Sequence, residues 1–157
     1  MVEEMRERLP VSVSVAVFIT NKEGKLLLLK QTAESKGGKW GPPAGGMHPH
    51  ENPIETAKRE TKEEIGVEVN LIDLVGINTV DRGDEATGIG FTFRGEILSG
   101  EIRVRDGEIT DYRFFTPEEV KILMETDMFY KPEYNKLAIE DWLKGESYPL
   151  DVIKRLV

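Results

Sequence analysis

Cysteine is absent from the 157-residue chain, and only two histidines occur, His48 and His50. Disulfides and thiolate metal sites are therefore excluded, and the few histidines do not suit a zinc site. The most apolar stretch, Val11–Ile19, is interrupted by Ser12 and Ser14 and is far too short to cross a bilayer. We therefore expect no membrane-spanning segment.

Positive charges are outnumbered by negative ones. The chain has 21 Lys and Arg against 29 Asp and Glu, which gives a net charge of −8 at pH 7. This field repels nucleic acid and anionic lipid, so we expect neither a nucleic acid polymer nor a membrane among the partners. The first ten residues, MVEEMRERLP, form a short charged extension without the apolar stretch of a secretory signal, and a cytoplasmic location is expected.

The length fits one domain over residues 1–157, and the pattern predicts an α+β fold with a mixed β-sheet between α-helices. Turn residues Asn21 to Gly24 separate the first two strand-like segments, which indicates a β-hairpin. The glycine- and proline-rich segment from Lys36 to Gly46 is expected to be a loop. The predicted strands are Val11–Ile19, Lys25–Lys30, Val67–Val80, Gly88–Leu98 and Ile109–Phe115.

A helix is predicted over residues 53–65. Asn52 supplies an N-cap, Pro53 occupies the first helical position, Glu55 completes a capping box, and Gly66 provides the stop. Two further helices are expected, one from Thr116 to about Met124 and one over Glu133–Lys144. A wheel of the first helix places one set of side chains on the face that should pack against the sheet: Ile54, Ala57, Thr61 and Ile65.

Three carboxylates, Glu60, Glu63 and Glu64, share an arc beside that apolar face. They repel one another, and they lie in the last turns of the helix, where the helix dipole disfavours acids. A hard divalent cation with oxygen ligands, such as Mg²⁺, would relieve both penalties. The alternative is a solvated helix on which Arg59 pairs with Glu55 and Glu63.

The surrounding residues favour the metal-binding interpretation. From Gly45 the chain reads GGMHPHENPIETAKRETKEEIGV, which resembles the Nudix box, G-x5-E-x7-R-E-U-x-E-E-x-G-U with U a bulky aliphatic residue. Seven fixed identities would coincide at one site with a chance of roughly 10⁻⁸. Thr61 occupies a position that is usually aliphatic, although its methyl group can still pack. The matching residues are Gly45, Glu51, Arg59, Glu60, Glu63, Glu64, Gly66 and Val67.

The resemblance implies the Nudix fold and a metal site. Glu60, Glu63 and Glu64 would be the catalytic carboxylates that bind Mg²⁺, or Mn²⁺ in its place, together with the backbone carbonyl of Ala44. Glu51 is expected to pair with Arg59 and to order the loop and helix, so that these two residues, with Gly45 and Gly66, support the motif. Members of the family often use a further acid from outside the box. Glu108 is the catalytic candidate here, with Asp106 and Asp111 as rivals.

The activity that the resemblance implies is hydrolysis of a phosphoanhydride bond in a small nucleotide or pyrophosphate. Pro43-Ala44-Gly45 and the segment from Gly145 to Ile153 are similar to bacterial Nudix phosphatases that act on nucleoside triphosphates, diphosphates and a thiamine-precursor pyrophosphate. The alternatives are a house-cleaning pyrophosphohydrolase and a non-catalytic metabolite sensor. Many relatives are homodimers, and a homodimer is possible here. The residues expected to contact substrate are Lys30, Lys39 and Trp40, for which ordinary surface and packing roles are the alternative.

Overall fold

The computed structural model describes residues 10–83 and 86–156, so the charged extension predicted at residues 1–10 lies, apart from Pro10, outside the described residues. The α+β class and the mixed sheet are confirmed. In chain order the elements are β1 (Val11–Ile19), β2 (Leu26–Gln31), α1 (Ala33–Lys36), β3 (Trp40–Gly41), β4 (Ala44–Gly46), α2 (Pro53–Ile65), β5 (Glu68–Asp81), β6 (Thr87–Ser99), β7 (Ile109–Phe115), α3 (Pro117–Met124), α4 (Pro132–Lys144) and a 3₁₀ turn (Leu150–Val152).

The strands are divided between two sheets. The mixed sheet has the order β4-β1-β6-β5, in which β1 runs parallel to β6 and the other neighbours are antiparallel. The second sheet has the order β3-β2-β7 and is antiparallel. The segment predicted as a loop from Lys36 to Gly46 therefore contributes one short strand to each sheet, because β3 pairs with β2 and β4 pairs with β1.

The hairpin predicted for β1 and β2 is wrong. The turn itself is present, since the Gly24 N–H donates to the carbonyl of Asn21, but only a bridge between Thr20 and Leu26 joins the strands. All four leucines of Leu26–Leu29 are fully buried. A strand without polar alternation is covered on both faces, and here β2 separates two apolar cores instead of folding back on β1.

The two cores take alternate side chains from β2. Leu27 and Leu29 pack in the first core, under α2, whereas Leu26 and Leu28 pack in the second, with residues of α3 and α4. The face predicted for α2 is confirmed, since Ala57, Thr61 and Ile65 are fully buried and Ile54 packs against the first core. The hydroxyl of Thr61 donates to the carbonyl of Ala57 at 2.8 Å, so the residue that departs from the aliphatic pattern is hydrogen-bonded within its own helix.

The ends of α2 are fixed by the predicted caps. The Asn52 side chain accepts from the backbone N–H of Glu55 at 2.9 Å, and the Glu55 carboxylate accepts from the backbone N–H of Asn52 at 3.3 Å. Gly66 has a φ of 73°, in the left-handed region, and its N–H donates to the carbonyl of Lys62. These local contacts set where the acidic last turns of α2 fall. In the described part of the chain no helix is long and apolar enough to span a membrane.

Replacing Asn52 with Ala should lower the free energy of unfolding by about 1 kcal/mol and the melting temperature by about 2–4 °C, because the helix loses its side-chain cap. Thermal unfolding followed by circular dichroism measures this. Lys58→Ala is the matched control, because Lys58 is exposed on the same helix and its side chain forms no hydrogen bond or ion pair with a described residue. Equal melting temperatures for both variants would contradict the capping role.

Candidate active site

Strand β4 lies directly against the acidic part of α2. A Cβ atom placed on Gly45 would lie 2.0 Å from Cδ of Glu60, well inside contact distance. The Glu60 carboxylate therefore occupies the space that any other side chain at position 45 would need. This contact gives the glycine of the motif a physical reason: it lets the strand approach a carboxylate of the helix.

Glu64 also reaches β4, where its Oε2 accepts a hydrogen bond from the backbone N–H of Ala44 at 3.2 Å. Glu63 points further outward, and its side chain is 43% exposed against 13% for Glu60. The three carboxylates predicted as metal ligands are thus placed along one edge of α2, and two of them contact the loop strand that carries Ala44. The structure therefore places Glu60 and Glu64 against β4, with Glu63 further from it.

The Arg59 guanidinium forms hydrogen bonds both with the loop before α2 and with the carboxylates of the helix. It binds Glu51 through two hydrogen bonds, from Nε at 2.7 Å and from Nη2 at 2.9 Å, the strong bidentate geometry of an arginine–carboxylate pair. Nη2 also donates to the carbonyl of Gly46 at 2.9 Å. The pairing predicted between Glu51 and Arg59 is confirmed, and through it the loop before α2 is tied to the helix.

The remaining donor of Arg59 faces the metal-ligand candidates. Nη1 lies 2.7 Å from Glu60 Oε1 and 3.2 Å from Glu63 Oε2. One positive charge therefore offsets part of the repulsion among the acidic side chains of α2. The solvated-helix alternative predicts the contact between Arg59 and Glu63. It does not predict that the other donors of Arg59 bind Glu51 and the Gly46 carbonyl.

This arrangement shifts two pKa values. Hydrogen bonds from the Arg59 side chain lower the pKa of Glu51 from its usual 4.5 to about 2, against partial desolvation, and the backbone N–H of His48 adds a further hydrogen bond. The same contact with Glu51, reinforced by Glu60, raises the pKa of Arg59 well above its usual range. Both groups are therefore charged throughout the physiological pH range, and the ion pair between Glu51 and Arg59 does not depend on pH there.

The donor set suits a hard divalent cation, since it consists of three carboxylates and the nearby backbone of Ala44. Within residues 10–83 and 86–156, no three His, Asp or Glu side chains converge as the ligands of one ion do. Arg59 holds Glu60 and Glu63, and the Ala44 N–H holds an oxygen of Glu64. The close approach of Glu60 to Gly45 shows that the carboxylates reach the strand on which the carbonyl ligand is expected.

Glu108 is placed differently. It lies in the turn before β7, its side chain is 55% exposed, and its carboxylate faces Arg105 at 3.7 Å. Among the described residues, no hydrogen bond or ion pair joins it to Glu60 or Glu63. Its rivals Asp106 and Asp111 are also exposed. A catalytic role for Glu108 stays a prediction.

The residues predicted to contact substrate lie outside the cleft beside β4, and their role stays a prediction. Trp40 packs edge-on against Phe115, with ring centroids 5.1 Å apart, and adjoins the second core, as its packing alternative expects. Lys30 places its ammonium 5.9 Å from the centre of the Trp40 ring. Neither residue, nor Lys39, lines the cleft that opens beside β4.

That cleft has a volume of about 250 Å³ and is bounded by the mixed sheet, Glu64 and the start of α4. Its floor carries small or polar residues at alternate positions of β1 and β6, including Ser12, Ser14 and Gly90. A core-facing strand would carry large apolar residues at every second position. Small or polar residues at these positions were therefore the sequence signal for the cleft. Sequence reasoning missed several lining residues: Gln31, Asn78, Arg82, Tyr130, Lys131 and Tyr134.

A second missed contact comes from the end of the chain. Arg155 forms an ion pair with Glu55, and its Nη2 donates to the carbonyl of His50 at 2.6 Å. His50 has a φ of 71°, unusual for a residue other than glycine. The C-terminal segment is thus bonded through Arg155 to the loop and the first turn of α2. No sequence signal could have revealed this contact, which joins residues about a hundred positions apart.

Comparisons with known proteins agree with this geometry. The NUDIX domain family matches residues 10–135. A MutT-like protein of Streptomyces ambofaciens is 31% identical over 110 residues, which cover 69% of this chain and 66% of that protein. Phosphatase NudJ of Escherichia coli is 26% identical over 142 residues, 90% of this chain and 89% of that protein. A NUDIX hydrolase from Nitrosomonas europaea has a similar structure, with a TM-score of 0.80 and 29% identity over 94% of this chain and 98% of that one.

The chain belongs to the Nudix hydrolase family, and its fold is the Nudix fold. For several curated relatives the chain spans only part of the whole protein. The Streptomyces protein is covered to about two thirds of its length. The family assignment therefore covers this domain, and the activity of any particular relative does not transfer with it.

Replacing Glu51 with Gln should lower the melting temperature above pH 4.5, because the bidentate ion pair with Arg59 is weakened. The folded-state pKa of Glu51 is depressed to about 2, so the wild-type advantage should be complete above 4.5 and lost as the pH falls towards about 2. Melting curves of both proteins across this range measure it. Glu140→Gln, an exposed acid on α4, is the control and should show no such pH-dependent difference. A constant gap between wild type and Glu51→Gln down to pH 2 would contradict the shift.

Proposed function

We propose that the protein is a magnesium-dependent hydrolase that cleaves a phosphoanhydride bond in a nucleoside triphosphate, a nucleoside diphosphate or a related small pyrophosphate. The observation that carries the proposal is the contact of Glu60 and Glu64 with β4, at the edge of an open cleft. Carboxylates placed at the mouth of a cleft can hold an ion that is shared with the phosphates of a substrate.

In this proposal Glu60, Glu63, Glu64 and the carbonyl of Ala44 would hold the ion, and Mn²⁺ could replace Mg²⁺. When bound, such an ion neutralises phosphate charge and lowers the pKa of a coordinated water. An acidic protein can then accept a polyanionic substrate that its own field would otherwise repel.

The chain's residues then have distinct tasks. Arg59 and Glu51 hold the loop against α2, so that the Ala44 backbone and the carboxylates keep a fixed spacing. A glutamate within hydrogen-bond reach of the attacking water would take its proton. Glu63 is the most exposed of the three, and to bind the ion together with Glu60 and Glu64 its carboxylate would have to leave its hydrogen bond with Arg59 Nη1.

The substrate class is supported by two relatives. Phosphatase NudJ matches nearly the whole chain, and a mouse 8-oxo-dGDP phosphatase, NUDT18, is 32% identical over 91 residues, although the match covers 27% of its length. Release of phosphate is therefore the expected outcome, and release of pyrophosphate would indicate a house-cleaning pyrophosphohydrolase. The single-domain organisation, the cytoplasmic location and the homodimer remain predictions.

Hydrolysis should be measured on a panel of nucleoside triphosphates, nucleoside diphosphates, ADP-ribose and thiamine-type pyrophosphates, with Mg²⁺ or with chelator, and with phosphate and pyrophosphate assayed separately. We expect metal-dependent release of phosphate. Glu63→Gln and Glu64→Gln should abolish turnover and leave the melting temperature nearly unchanged, because Glu63 is exposed and the amide oxygen of Gln at position 64 can still accept from the Ala44 N–H. Full activity in both variants would refute the metal site, and no turnover of any compound by the wild type would favour a metabolite sensor.

Gly45→Ala should weaken Mg²⁺ binding by about tenfold or more with little loss of fold stability, because the new methyl group displaces the flexible end of Glu60. Gly46→Ala is a close control, since a Cβ at Gly46 meets nothing within 4 Å. Calorimetric titration with Mg²⁺, together with melting curves, separates the two effects. Equal Mg²⁺ affinity in the two variants would argue against Glu60 as a ligand.

A further inference from the structure

The segment that follows α4 runs from the edge of the mixed sheet to the loop before α2. Tyr148 pairs with Leu74 on the edge strand β5 through two backbone hydrogen bonds, each of 2.8 Å. Further along, Leu150 and Ile153 pack against the first core. Arg155 is therefore carried by a segment that is already anchored on the sheet, and its position does not depend on its own contacts alone.

Arg155 joins the loop before α2 to the first turn of that helix. Its Nη2 donates to the carbonyl of His50 at 2.6 Å, and its Nη1 pairs with Oε1 of Glu55. The other carboxylate oxygen of Glu55 accepts from the backbone N–H of Asn52 and closes the capping box. One side chain thus fixes the loop backbone at His50 relative to the start of α2.

The backbone of His50 depends on contacts of this kind. Its φ of 71° lies in the left-handed region, which is unfavourable for a residue that carries a side chain. Such conformations persist only where the surrounding structure holds them, and they occur most often at functional sites. Because position 50 is histidine and not glycine, we expect the loop to keep this conformation through outside contacts such as the one with Arg155.

The residue after His50 passes the constraint on to the candidate metal ligands. Glu51 accepts hydrogen bonds from Nε and Nη2 of Arg59 at 2.7 Å and 2.9 Å. Arg59 in turn donates to Glu60 and Glu63. A continuous series of contacts therefore leads from the segment after α4 to two of the box carboxylates, and a change of the backbone at His50 would move the group that orients Arg59.

The contact of Arg155 contributes more to position than to stability. The side chains of Arg155 and Glu55 are 42% and 46% exposed, and ion pairs between exposed side chains stabilise a fold only slightly. Loss of the pair should therefore leave the protein folded. What it would change is the conformation of the loop, because the carbonyl of His50 would lose its charged donor.

We infer that Arg155 is a positioning residue for the metal site, which holds the loop before α2 in the conformation that presents Glu51 to Arg59. It thereby raises the affinity of the three box carboxylates of α2 for a divalent cation. The inference rests on the proposed function, since it assumes that these carboxylates bind Mg²⁺. It gives the segment after α4, which contributes no residue of the box, a part in metal binding.

Arg155→Ala tests the inference by calorimetric titration of the metal-free protein with Mg²⁺. The Kd should rise about tenfold, as when a partner outside the ligand set of a metal site is lost, with a melting temperature within about 2 °C of the wild type. Lys154→Ala is the matched control, because Lys154 is exposed on the same segment and its side chain bonds no described residue. Charge alone predicts the opposite sign, since removal of a positive charge in either variant would favour cation binding.

Hydrogen exchange of the metal-free protein provides a readout that needs no ion. The backbone N–H groups of His48, Glu51 and Asn52 are all bonded within the loop and the first turn of α2. Arg155→Ala should speed their exchange, because the loop opens more readily, whereas Lys154→Ala should leave it unchanged. Wild-type Mg²⁺ affinity in Arg155→Ala would overturn the inference, whatever the exchange rates.

Activity measurements separate the inference from the proposed function. If the wild type hydrolyses a compound of the panel, Arg155→Ala should lose activity at limiting Mg²⁺ and regain it at saturating Mg²⁺ with an unchanged KM for the substrate, because the carboxylates are intact. If the wild type binds Mg²⁺ and hydrolyses nothing, the proposed function fails, and a tenfold loss of Mg²⁺ affinity in Arg155→Ala would still support the inference. If the wild type does not bind Mg²⁺, both fail.

Discussion

The guanidinium of Arg59 is the contact on which the candidate site depends. It bonds Glu51, Glu60, Glu63 and the Gly46 carbonyl, and so joins the loop, the strand β4 and the acidic turns of α2 with one side chain. Without it, carboxylates on neighbouring turns would repel each other beside the negative end of a helix. Because its planar group offers several donors in fixed directions, a lysine could not replace it.

The two ends of the cleft differ in the chemical groups that line them. The box end of the cleft carries several carboxylates whose charge Arg59 offsets only in part. The far end carries the Asn78 amide, two tyrosines and a glycine, with Arg82 and Lys131 beside them. Under the proposed function, the first end takes the metal and the phosphates, which all substrates of such an enzyme have in common. The second can change without disturbing the first, because it stands on different strands. Families with one chemistry and many substrates require this separation.

The features that the sequence predicts correctly depend on contacts between residues close in the chain, or on the motif. Asn52, Glu55 and Gly66 define α2 through contacts within a few residues, and the pairing of Glu51 with Arg59 follows from the motif. The assignment of β1 and β2 to different sheets depended on burial of both faces of the Leu26–Leu29 run, and short-range turn chemistry could not reveal it. Gln31 and Asn78 line the same cleft and Arg155 contacts His50, so each pair joins distant segments that leave no mark on local patterns.

The pairing of β1 with β6 also bears on how the protein acquires its fold. Val11 registers with Thr87, so the strand beside the box cannot complete its sheet until the chain has been made to Ser99. The pairing of β2 is completed later still, because its partner β7 ends at Phe115. Contacts of such long sequence separation make folding slow. During synthesis the four leucines of β2 are made before their later partners in either core, and an exposed apolar run of this kind makes a nascent chain prone to aggregation.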